Sequence, residues 1–242
     1  MVRGTPAVLR RTRVIAFAVN AAVVLAWFVV APHLPYVGHR WNVVIVSFLV
    51  LPGTLLLVYW ALPLWERRWM WIATLVFAAL AVVFNLLDWG LPGNFAKLAA
   101  AICAGWTFLR LFEALSWVVL VALVIPLVDI ISVWRGPTHT ITQHHFEVYT
   151  TVAIAFLAPA GSTAYLGPPD VLFYGLFLGA AARWNLRVLA TWIACTGIYG
   201  LTIVIANVAD VGGLPALPFL SFGFLAANGD LLWKQLRTTR SS

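Results

Sequence analysis

Two acidic residues stand where charge is costly. Asp129 lies in "LVIPLVDIISVW" and Asp170 in "LGPPDVLFYGLF", each enclosed by apolar sequence. A carboxylate at the centre of a bilayer costs about 3 kcal/mol, so such residues serve a site or find a partner. The other acids, Glu66, Asp88, Glu113, Glu147, Asp210 and Asp230, fall in loops or near the ends of apolar runs. The sequence places no Lys or Arg at the level of Asp129 and Asp170, since Lys97 reads as an outer-side residue. Two facing carboxylates without a cation relieve their repulsion by sharing one proton. Such a pair contains a general base and a general acid at once, which suits activation of water and protonation of a leaving amine. The same residues also admit a structural role, each bonded to backbone freed by Pro126 or Pro169.

The elements that must carry these acids follow from composition. The 242 residues are 63% apolar and 10% charged, with a mean hydropathy of +0.96. Few soluble folds could keep that much apolar surface from water, and runs near twenty residues indicate membrane spans. The reading is an all-α polytopic membrane protein with about eight transmembrane helices, near 14–31, 41–63, 69–87, 95–110, 115–134, 166–184, 186–207 and 214–233. Trp41, Trp69, Trp134, Trp184 and Trp233 bound several of them, as rings resting at headgroup level do. The segment 142–163 is apolar for too short a run to span and is rich in β-branched residues, which predicts an extended stretch in a long loop.

Charge orients the chain. With the N-terminus inside, twelve of the fifteen Lys and Arg fall on the cytoplasmic side, leaving Arg40, Lys97 and Arg135 outside. That bias predicts an even number of spans and both termini in the cytoplasm of a cell-membrane protein. Depth then brings the acids together. Asp129 precedes Trp134 by five residues, about 7 Å below the outer surface. Asp170 precedes Trp184 by fourteen residues, which leaves it about 9 Å below the same face of a core about 30 Å thick.

A third motif, "PALP" from Pro215 to Pro218, opens the last span. Counted back from Trp233, Leu217 reaches the level of the acids, where the prolines predict an unwound turn beside them. With "VD" at Val128–Asp129 and "GPPD" at Gly167–Asp170, the order resembles the presenilin and signal peptide peptidase family of intramembrane aspartyl proteases. That family carries an Asp in a "YD" helix, a second in "GxGD" opening the next helix, and "PAL" opening the last. "DIISVWRGPTHTI" also resembles a run in microbial presenilin homologues. Val128 stands for the family's tyrosine and Pro169 for its glycine; the likeness covers roughly residues 115–233. The resemblance implies a nine-span norm, catalytic Asp129 and Asp170, and a site shaped by Gly167, Pro168, Pro169, Pro215, Ala216, Leu217 and Pro218. It divides a single membrane domain, 1–242, into scaffold helices (1–114) and a catalytic core (115–233). The inward N-terminus resembles signal peptide peptidases rather than presenilins, and implies single-span transmembrane substrates with the N-terminus inside, such as signal-peptide remnants. A strand in "EVYTTVAIAFLAP" would pair with the unwound substrate.

Other features call for less. The net charge of +7 is explained by orientation in the bilayer, so no nucleic-acid partner is implied. Cys103 and Cys195 lie inside apolar runs and read as small packing residues. His139, His144 and His145 lack an acid or cysteine at ligand spacing, so neither metal nor cofactor is expected. The basic, apolar N-terminus lacks a convincing cleavage site and reads as a retained anchor. Two other classes stay open: an inactive relative that binds transmembrane segments, and a proton-coupled transporter.

Overall fold

The computed structural model describes residues 7–135, 146–209 and 214–240; His139, His144 and His145 lie outside them. Helices form at all eight expected places. They are α1 (Ala7–Val30), α2 (His39–Glu66), α3 (Met70–Leu86), α4 (Gly90–Leu109), α5 (Leu115–Arg135), and, after the loop, α7 (Pro168–Arg183), α8 (Val188–Val208) and α9 (Ala216–Arg240). Within the loop, a short α6 (Phe146–Val152) leads into strands β1 (Ile154–Leu157) and β2 (Thr163–Leu166). Among the described residues, α1, α2, α5, α8 and α9 are long and apolar enough to cross a membrane. The chain is an α-helical membrane protein.

Among the exceptions, α7 has a physical reason. Helix α7 is the hub: it packs on α4, α8, α9 and α5, and nine residues from Val171 to Ala181 are buried. A helix walled by protein need not be as long or as apolar as one facing lipid. Its closest neighbour is α4, and the approach depends on missing side chains. A Cβ on Gly105 would collide with the Leu172 carbonyl, and one on Gly175 or Gly179 would press on Ile102, Leu109 or Trp106. Small residues at such crossings let helix backbones meet where lipid supplies no hydrophobic drive. Helix α5, by contrast, leans mainly on α9 and exposes Leu120, Leu123, Val124, Leu127 and Val128.

Prolines fall where the backbone absorbs them. Pro52 follows a π turn at Val46–Val50 inside α2, where the helix is widened just before the residue that cannot donate. Pro168 and Pro169 are the first two residues of α7, positions whose amides have no intrahelical acceptor anyway.

The expected extended stretch is partly corrected. Residues 146–152 are helical, and the strand begins only at Ile154. It returns as an antiparallel hairpin with Ile154 opposite Leu166 and Ala155 opposite Tyr165. The turn uses two left-handed residues, Ala160 (φ 57°) and Gly161 (φ 73°). Ile154 and Phe156 are fully buried, whereas Ala155 and Leu157 are partly buried and bond other helices through their backbone. Side chains from other helices meet that backbone: Asn94 of α4 donates to the Ala155 carbonyl at 2.9 Å and accepts from its N–H at 2.7 Å. Trp27 of α1 donates to the Leu157 carbonyl at 2.9 Å. The hairpin is thereby fastened to the bundle along the outer edge of β1.

Candidate active site

Three helix ends converge on the two acids. Asp129, partly buried near the end of α5, accepts the Leu217 N–H through Oδ2 at 3.0 Å. Leu217 is the second residue of α9, so its amide is one of the orphan donors of a helix N-terminus. This corrects the expected unwound turn. Pro215 precedes α9, Pro218 lies in its first turn, and the helix begins regularly at Ala216. The prolines position a helix start, and Asp129 caps it. Ala216 and Leu217 are buried against the neighbouring helices.

Asp170 is held differently. Gly167 flanks α7 in extended geometry (φ −65°, ψ 148°), so no glycine-only backbone is needed there. The Asp170 N–H donates to the Gly167 carbonyl at 3.1 Å, and its Oδ2 accepts the Gly167 N–H at 3.2 Å. That reciprocal pair fixes the side chain against its own backbone. Pro169, in place of a motif glycine, leaves Asp170 in the first turn of a regular helix. The buried Tyr199 of α8 donates its hydroxyl to the Asp170 carbonyl at 2.6 Å. Tyr199 in turn stacks on Tyr174 (6.0 Å between ring centres), whose hydroxyl lies 3.0 Å from that of Thr196.

The two carboxylates interact electrostatically with each other, and both act on Tyr199. Among the described residues, the Oδ1 atom of each acid has no hydrogen-bond donor. Tyr149 of α6 completes a wall, its ring edge-on to Tyr165 of β2 at 6.4 Å. Burial, and then the Asp170 carboxylate, push the Tyr149 phenol up to about 12, so it stays protonated at neutral pH. The arrangement offers two acids immobilised through one oxygen each, with the second oxygen left for chemistry and phenols close by.

Sequence reasoning missed four residues here. Tyr149, Tyr199 and Asn94 carried no signal, because a lone tyrosine or asparagine beside an apolar run has no motif. Lys97 did carry one. It stands seven residues into α4 in "NFAKLAAAICAG", and lines a cavity together with Pro168 and Pro169. The expected fourth helix, 95–110, already contains Lys97; the structure adds that it shares this cavity with the first residues of α7. Cys103 and Cys195 are buried free thiols. Comparison of the chain with known protein families, curated proteins and solved structures finds no match.

Proposed function

We propose that this protein is an intramembrane aspartyl protease, similar to the presenilin and signal peptide peptidase family. It has about eight spans and both termini in the cytoplasm of a cell membrane, and it hydrolyses peptide bonds in single-span transmembrane segments. The observation that carries the reading is the joint anchoring of Asp129 and Asp170. Each spends Oδ2 on a backbone amide, and the helices that carry them, α5 and α7, pack against each other.

In this mechanism one carboxylate is ionised and the other protonated. The base removes a proton from water as its oxygen bonds to the scissile carbonyl carbon, while the acid gives its proton to the carbonyl oxygen. Collapse of the tetrahedral gem-diol breaks the C–N bond. The nitrogen leaves with a proton from the first carboxyl, and the products are a carboxylate and an amine. A helical substrate must first unwind, and a strand edge supplies partners for its backbone. Because Asn94 and Trp27 already occupy the outer edge of β1, the receiving strand is β2, which leads directly into Gly167 and Asp170.

One observation favours a second reading. Both acids sit on helix N-terminal amides, where capping alone accounts for a carboxylate, so a non-catalytic binder of transmembrane segments has the same geometry. Reconstitution with a single-span peptide separates these. Cleavage by the wild type that is lost in both Asp129→Asn and Asp170→Asn is expected. Peptide capture without cleavage establishes the binder, and proton flux in peptide-free vesicles establishes a transporter.

A further inference from the structure

A cavity of about 760 Å³ lies between α3, α4 and α7, close to the acids but not containing them. Five of its lining residues are alanines, Ala78 and Ala81 from α3 and Ala100, Ala101 and Ala104 from α4. Flat walls of this kind let a helix backbone approach closely. The cavity is bounded by Phe108 toward the inner end of α4 and Lys97 toward the outer end. The eleven-residue step from one to the other covers about 16 Å of helix, or three turns. Its outer end meets Pro168 and Pro169, the residues immediately before Asp170.

Lys97 gives the cavity a chemical preference. Its ammonium donates to the Thr151 carbonyl at 3.2 Å and pairs with no carboxylate among the described residues. Asp88 lines a small adjoining pocket of about 160 Å³ without forming an ion pair with it. A partly buried cation with donors to spare favours a ligand that brings its own negative charge.

We infer that this groove receives one face of the still-helical part of a transmembrane substrate, and that Lys97 selects substrates carrying Asp or Glu where that helix reaches the outer end of the groove. The inference rests on the protease reading and adds a specificity site to it. Alanine walls give the helix its seat, Lys97 fixes its axial register, and the segment beyond Lys97 unwinds toward β2 and the acids.

The test uses the full chain in vesicles of zwitterionic phosphatidylcholine. Single-span peptides differ only by Glu, Gln or Lys at one position, stepped along the helix a turn at a time. At one step the Glu peptide is expected to show a KM about tenfold below the Gln peptide, with kcat unchanged. The Lys peptide is expected to be the poorest, and Lys97→Glu to invert the order. If that variant does not fold, the peptide series on wild-type protein still decides. Indifference to peptide charge at every step overturns the inference. So does a charge-independent KM that rises when anionic phosphatidylglycerol is added, since a lipid then occupies the groove. Binding of the same peptides to the Asp129→Asn/Asp170→Asn protein separates this inference from the one beneath it. Charge-selective binding together with a wild type that never cleaves upholds the groove and overturns the protease; cleavage without charge preference does the reverse.

Discussion

Asn94 provides the sharpest test of how the hairpin beside the acids is held. The residue is 6% exposed, and its side-chain amide makes two hydrogen bonds to the backbone of one residue, Ala155, at 2.9 and 2.7 Å. Asn94→Leu keeps a similar volume and removes both. Each orphaned backbone group costs about 1–3 kcal/mol where water cannot reach it. Ala155 is only partly buried, so the lower half of the summed range applies, about 3 kcal/mol. That loss falls on the docking of β1 rather than on the helices, so local opening becomes about a hundredfold more frequent. Hydrogen–deuterium exchange measures it directly. The Ala155 amide is expected to lose about two orders of magnitude of protection while α7 and α8 keep theirs. Asn94→Asp retains the acceptor for the Ala155 N–H but not the donor to its carbonyl, and should fall between. Unchanged protection at Ala155 in a folded Asn94→Leu protein would refute the reasoning. Loss spread evenly through the bundle would show that Asn94 supports the whole fold and not the strand.

Three further outcomes follow from particular contacts. Tyr199→Phe keeps the stack on Tyr174 but deletes the 2.6 Å hydrogen bond to the Asp170 carbonyl; peptide cleavage should lose kcat about tenfold with KM little changed, as for a positioning residue. Gly105→Ala drives a methyl into the Leu172 carbonyl and should lower stability by about 1–3 kcal/mol in a detergent unfolding titration, whereas Gly229→Ala, with open space around it, should not lower it. Asn228 is fully buried and ties α9 to the start of α8 through the Thr191 hydroxyl (2.8 Å) and the Arg187 N–H (3.0 Å). Asn228→Leu should therefore cost about 2–4 kcal/mol by the same titration.

Much of the helical framework was legible because the bilayer leaves so few options. A chain with 63% apolar residues must satisfy its backbone within helices, and charged or turn-forming residues mark where each one ends. The acids were legible for the same reason, since a carboxylate in apolar sequence is costly enough to stand out. The proline motifs were located correctly but misread in one respect. The prolines of "PALP" were expected to unwind a turn, whereas Pro215 precedes α9 and Pro218 sits in its first turn, and only the start of the hydrogen-bond ladder distinguishes the two. The strand was displaced for a related reason: β-branched residues at 150–152 favour extension only weakly, and the chain forms a helical turn there before β1.

The sequence by itself determined the solvent this protein lives in, the approximate position of each helix, and the two residues whose burial as charges demands an explanation. Each of these depends on local composition, and composition is local information. Only the tertiary structure decided what each acid touches, that Tyr199 and Asn94 hold the site from distant helices, and that Lys97 lines one end of a cavity shared with Pro168 and Pro169. Those contacts join residues from 29 to 88 positions apart. No periodicity records such pairings, because they arise from how the surfaces of whole helices fit, and a single glycine such as Gly105 governs that fit as strongly as any charged residue.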